Sequence, residues 1–180
     1  MLTSRWTSKN LEFSKFTKSE AALAKSIYDS NSGLESYDPH FEIFPESEFI
    51  THIENDCSET ERDGEPKFFL RCIRRRTDSK PIGYFQFEID APSRSQCWLP
   101  MFVLMPASQG QGVGIEAVES LVSEVRKIFD IQSIGLNVYA ENKRALRFWF
   151  HCGWNEIMAI DIEESNNREY TCVTLIRRFA

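Results

Sequence analysis

Residues 109–114 of this 180-residue chain read QGQGVG, three glycines at alternate positions between an apolar run over residues 98–105 and an amphipathic pattern of helical period. Gly110, Gly112 and Gly114 let the backbone turn tightly and present its N–H groups outward. If a helix starts here, those amides coincide with the positive end of its dipole, and the volume in front of them suits a phosphate. The spacing alone is equally that of a turn with no ligand, so the weight falls on its surroundings. Two phosphate chemistries do not fit. A dinucleotide fingerprint needs a further glycine where Ile115 stands, and a triphosphate loop needs Lys and Ser or Thr where Ile115 and Glu116 stand.

The elements that would position this loop follow from periodicity. Val113, Ile115, Val118, Leu121, Val122, Val125 and Ile128 recur at helical spacing with Glu116, Glu119, Glu124, Arg126 and Lys127 between them. Ile134, Leu136 and Val138 alternate with Ser133, Gly135 and Asn137, the pattern of a strand. Asn142 caps a second helix whose apolar face is Ala145, Leu146, Phe148, Trp149 and Cys152, with Gly153 as its left-handed stop. Upstream, Leu11 and Phe13 mark a short strand, residues 20–30 a helix, and residues 44–57 contain another. Residues 56–66 form a polar, acidic surface loop. The runs 67–76 and 81–90 pair as a hairpin around TDSK, with Arg74, Arg75 and Arg76 as a charged strand end or a cationic patch for phosphates. The runs 155–163 and 170–179 form another strand pair around ESNNR.

With 42% hydrophobic residues, the chain supports one core, so residues 1–180 are expected to form a single domain. A formal net charge of −6 argues against nucleic-acid binding and mildly favours a cationic substrate. The first ten residues lack the apolar core of a signal peptide, and the run around Met101 is too short to span a bilayer, so no membrane partner and a cytoplasmic location are expected. Cys57, Cys72, Cys97, Cys152 and Cys172 lie far apart, as do His40, His52 and His151, which reads as reduced thiols and no metal.

Residues 106–114, PASQGQGVG, followed about 30 residues later by ENKRALRFWFHCGW, resemble the GNAT superfamily of N-acetyltransferases. The loop pattern of Gln or Arg, two residues, Gly, one residue, then Gly or Ala is met by Gln109, Gly112 and Gly114, and the second pattern by Asn142, Ala145, Phe148, Trp149, Gly153 and Trp154. The resemblance implies an α/β fold, a mixed and mostly antiparallel sheet flanked by helices, with acetyl-CoA as cosubstrate. It implies that Gln109, Gly110, Gln111, Gly112, Val113 and Gly114 hold the pyrophosphate, and that the backbone of Phe102 and Leu104 pairs with the pantetheine arm along a strand that splays from the next. Pro100, which cannot donate to a ladder, agrees with an interrupted strand. Asn142 and Trp149 belong to the same surroundings, and Lys143, Arg144 or Arg147 could meet the remaining phosphate. Of these, Arg147 is the expected contact.

The implied reaction is direct acetyl transfer to an amine, which needs a group to take the ammonium proton and one to neutralise the leaving thiolate. The tyrosine that many members use as acid is replaced by Trp149, whose indole is far too weak an acid, and residues 96–105 hold no Asp, Glu or His. Tyr139 as a substitute acid and Glu88 as a base acting through water are the expectations, with Asp90 beside it. The primary amine of a small molecule is the first acceptor class. A protein N-terminus or lysine, and a non-catalytic CoA-binding sensor, are the alternatives, and a homodimer is left open. Acceptor pockets in this family are built from the N-terminal helices, here residues 28–53, where Tyr37, Asp38, His40, Phe41 and Glu42 form an aromatic and acidic mixture.

Overall fold

A computed structural model describes residues 2–56 and 67–179. Strands β1 (Arg5–Thr7) and β2 (Leu11–Ser14) are followed by helices α1 (Ala21–Asp29) and α2 (Glu46–Asn55), then by strands β3 (Lys67–Arg75), β4 (Pro81–Ile89) and β5 (Gln96–Leu104). Helix α3 (Val113–Ile128), strand β6 (Ser133–Tyr139), helix α4 (Lys143–His151) and the hairpin β7 (Glu156–Ser165) and β8 (Arg168–Arg178) complete the chain. The eight strands form one sheet in the order β1-β2-β3-β4-β5-β6-β8-β7. Every neighbouring pair is antiparallel except β5 and β6, whose connection through α3 makes them parallel. This is the mixed, mostly antiparallel sheet expected.

Alternation along the strands sorts the apolar side chains onto two faces. Leu11, Phe13, Ile73, Phe85, Phe87, Leu99, Leu136 and Leu175 pack with Ala117, Val118, Leu121 and Val125 of α3 and Trp149 of α4. On the other face, Leu70, Cys72, Tyr84 and Val103 meet Ala21, Ala24, Ile27 and Tyr28 of α1 and Phe49 of α2. Each buried side chain of this size is worth about 1.5–3 kcal/mol, so the two faces hold both helix pairs on the sheet. Gly153 takes the left-handed φ of +89° expected of a helix stop, and the Asn142 Oδ1 accepts from the Ala145 N–H at 3.0 Å.

Three upstream expectations need revision. The N-terminal strand is a hairpin of two, because Trp6 stacks on Phe13 at 4.8 Å and brings a second short strand onto the edge. Asp56 is not on a surface loop but buried at the end of α2, where its carboxylate accepts from Arg71 Nη1 at 2.6 Å. The rest of that expected loop, with Cys57, lies outside the described residues. The three arginines after Ile73 are anchors: Arg74 pairs with Glu20, Arg75 with Asp78, and Arg76 donates to the carbonyls of Ser8 and Lys9. Cys72, Cys97, Cys152 and Cys172 are free thiols and buried. Among the described residues no helix is long and apolar enough to cross a membrane.

Candidate active site

The sheet forks between β5 and β6. Their parallel ladder runs from Gln96 opposite Ser133 to Trp98 opposite Gly135 and stops there. Gly135 sets the vertex: a Cβ on it would lie 2.6 Å from the Trp98 ring and 2.9 Å from Ile176, so only glycine lets the indole lie across the last paired rung. Immediately beyond, Gln86 pairs with Met101 and Glu88 with Trp98, so Leu99 and Pro100 on β5 oppose Phe87 alone on β4. This bulge carries Pro100, which has no N–H to offer a ladder, and it bends β5 away from β6.

From Met101 to Leu104, β5 pairs only with β4. Met105 N–H donates to the Ile82 carbonyl, and a Cβ on Gly83 would touch the Val103 carbonyl, so residues 103 and 105 face β4. By antiparallel alternation the backbone groups of Phe102 and Leu104 face the fork. The Leu104 carbonyl accepts one bond from Gln109 Nε2 at 2.8 Å, and the same amide nitrogen reaches Asn31 Oδ1 at 3.2 Å. Gln109 thus ties the loop to the end of β5 and to the end of α1.

The loop has the backbone that its glycines foretell. Gly110 and Gly112 adopt φ of +78° and +76°, and Gly112 is the N-cap of α3, with no side chain to satisfy the first helical amides. Those amides and the helix dipole face outward together. Gly114 serves a different purpose: a Cβ there would lie 3.0 Å from the Phe148 ring, so it permits close packing of α3 on α4. Val113 is half-buried beside the same core, while the Gln111 side chain turns back to the Ala107 carbonyl at 3.0 Å. Glu116, an acid in the first turn, is turned away from the loop and accepts from the Asn10 backbone at 2.6 Å and the Asn10 side chain at 2.8 Å.

On α4, Arg144 lies beside the loop, with Nη2 3.9 Å from where a Gly110 Cβ would stand, and Arg147 follows it one turn on. Both arginines are exposed and make no ion pair among the described residues. The Asn142 side chain is committed to capping α4. Trp149 is 8% exposed and packs edge-on against Phe102, Phe148 and Trp154, as the floor beneath β5 rather than a group at the fork.

The two catalytic expectations are not brought together. Glu88 lies at the closed end of the fork, opposite Trp98, whereas Tyr139 ends β6, four residues past Gly135 and about 13 Å along the strand. Tyr139 is not a free acid. Its hydroxyl donates to Glu163 Oε2 at 2.8 Å; burial, then that bond and the carboxylate's charge, push its pKa up and keep the proton in place. The same Glu163 oxygen lies 2.9 Å from His40 Nε2. His40 belongs to the connection between α1 and α2, which is also held to the β7–β8 hairpin by Arg168 Nη1 donating to the Ser36 carbonyl at 3.1 Å. Sequence reasoning named His40 but missed Glu163, because its place depends on the register that sets Glu163 opposite Tyr170.

The likeness to known proteins agrees with this geometry. The model of the acetyltransferase (GNAT) family matches residues 31–154, which begin just after α1 and include the fork, the loop and α4. The fold is shared with a GNAT-family acetyltransferase from Bacillus anthracis, at 14% identity over 97% of this chain and 98% of that one, with a TM-score of 0.74. It is shared with the Salmonella typhimurium acetyltransferase that modifies the N-terminal serine of ribosomal protein L7/L12, at 14% identity over 96% and 97%, TM-score 0.74. It is also shared with a microcin C7 self-immunity acetyltransferase solved with acetyl-CoA and AMP, at 15% identity over 96% and 94%, TM-score 0.72. The forked sheet, the glycine loop at the start of α3 and the family match over two thirds of the sequence establish that this chain belongs to the GNAT acetyltransferases, which use acetyl-CoA as acetyl donor.

Proposed function

We propose that this acetyltransferase acts on the primary amine of a small molecule, with acetyl-CoA lying along the fork. The observation that carries the acceptor class is the cluster of carboxylates gathered where the connection after α1 meets the β7–β8 hairpin. The connection after α1 and the tip of the β7–β8 hairpin are joined by the Arg168–Ser36 and His40–Glu163 contacts beside the end of β6. The acidic cluster of Asp38 and Glu163 around Tyr139 and His40 suits a small cationic amine.

Acetyl-CoA supplies an activated thioester. The chain's own part is to orient it: the Phe102 and Leu104 backbone groups take the pantetheine arm, the amides from Gln111 to Gly114 take the pyrophosphate, and Arg144 and Arg147 of α4 meet the remaining phosphate. Holding donor and amine side by side accounts for much of the acceleration. An N-terminal peptide acceptor is the second reading, favoured by the likeness to the L7/L12 enzyme. The test is thiol release from acetyl-CoA with putrescine, spermidine, tyramine, amino acids and aminoglycosides, against peptides bearing a free N-terminal serine. The small amines are expected to give the higher kcat/KM, and a peptide preference would transfer the proposal to protein N-termini.

A further inference from the structure

Transfer to an amine requires a proton acceptor, and β5 supplies no Asp, Glu or His. We propose that Glu163 receives the acceptor's ammonium group and takes its proton, with Tyr139 and His40 as positioning residues. The inference rests on acetyl transfer to an amine at this site. It names the group that reads the amine.

The carboxylate is divided in its duties. Oε2 accepts from Tyr139 at 2.8 Å and lies 2.9 Å from His40 Nε2, whereas Oε1 has no hydrogen-bond partner among the described residues. The side chain is 33% exposed, so Oε1 reaches solvent while Oε2 fixes the orientation of the group. The two contacts come from different elements, the end of β6 and the connection between α1 and α2. Tyr139 in turn packs edge-on against Tyr170 at 6.2 Å, over which Arg168 lies at 4.7 Å. These rings give the carboxylate an apolar flank suited to the methylenes of an amine.

The charged and titratable groups around it are Asp38 of the connection, Asp161 of β7, Cys172 of β8, His40 and Arg168. Burial, then Glu163 and Asp38, push the Tyr139 hydroxyl upward, and burial, then Glu163, Asp161 and Asp38, do the same to the Cys172 thiol. Tyr139 and Cys172 therefore stay protonated and neutral, which leaves the negative charge of the site on carboxylates. That field attracts an ammonium and disfavours an anionic acceptor.

One N–H proton of the ammonium passes to Glu163, and the freed lone pair forms the C–N bond as the C–S bond breaks. The nitrogen then loses a second proton, which neutralises the departing thiolate, and Glu163 returns the first to solvent. The products are the amide, the free thiol and one proton.

The test uses the whole protein with CoA bound and glutamate side-chain carboxyls labelled with carbon-13, the Glu163 resonance being assigned by its loss in Glu163→Gln. Added putrescine is expected to move that resonance saturably, and 1,4-butanediol to leave it in place. In thiol release, Glu163→Gln should lower kcat at least tenfold with the KM for acetyl-CoA unchanged, Glu163→Asp should recover part of it, and Glu164→Gln should have no effect. Tyr139→Phe, which removes a donor to the carboxylate, should move the acid limb of kcat/KM to higher pH, a shift that a merely structural role would not produce. A Glu163 resonance that ignores putrescine or responds equally to the diol overturns the inference, as does a Glu163→Gln enzyme within twofold of the parent. If no small amine releases thiol, the small-molecule reading fails while the resonance still decides the role of Glu163.

Discussion

Trp149 shows how a residue can stand in a family's catalytic place and do something else. Its ring closes the floor beneath Phe102 and touches Phe148 and Trp154, so its contribution is packing. Trp149→Phe should cost about 1–3 kcal/mol of stability through the cavity it leaves, seen as a lower midpoint in urea, while turnover stays within tenfold of the parent. A hundredfold loss of kcat, equivalent to about 2.7 kcal/mol in the barrier, with acetyl-CoA affinity retained, would contradict this. Residue identity alone was enough to reject the indole as an acid. It was not enough to find Glu163, which depends on three elements meeting, with His40 and Glu163 far apart in the chain.

At the scale of elements, the loop is held from both sides, by Gln109 on the end of β5 and by Glu116 on the turn between β1 and β2. Burial raises the Glu116 pKa, but bonds from Ser8, from the Asn10 backbone and side chain and from the Leu11 backbone outweigh it, so the net shift is downward. A depressed carboxylate stabilises the fold fully above its unfolded value, and that contribution fades as pH falls through the lower folded value. Glu116→Gln should therefore lower stability by about 1 kcal/mol at pH 7, allowing for solvent screening. The difference from the parent should shrink below about pH 4.5, which denaturant melts at pH 7, 5 and 3.5 would measure. A constant difference across those melts would show that the carboxylate's charge is not what holds the turn. The helices around the loop were legible because Val118, Leu121, Val122 and Val125 keep helical spacing and because Asn142 and Gly153 mark the ends of α4. The β1 strand was not, since three residues carry no period and its place comes from the Trp6–Phe13 stack. The fork was legible only in outline. Pro100 announced an interruption, but the vertex at Gly135 needs the approach of Trp98, which sequence does not reveal.

At the scale of the molecule, α1 and α2 cover one face of the sheet, α3 and α4 the other, and β5 is left with half its backbone unpaired between them. That half-strand, together with the amides at the start of α3, forms one continuous row of donors and acceptors from the vertex to the loop. The proposed acceptor site lies at the end of β6, where the connection between α1 and α2 meets the β7–β8 hairpin. Acetyl-CoA is proposed to occupy this row. Hydrogen exchange of the nitrogen-15-labelled protein, read residue by residue by NMR with and without acetyl-CoA, tests it most directly. The predicted result is slowed exchange at the amides of Phe102, Leu104 and residues 111–114, with little change on β1, β2 and β3. Protection confined to other elements, or none at those six amides at saturating acetyl-CoA, would contradict it.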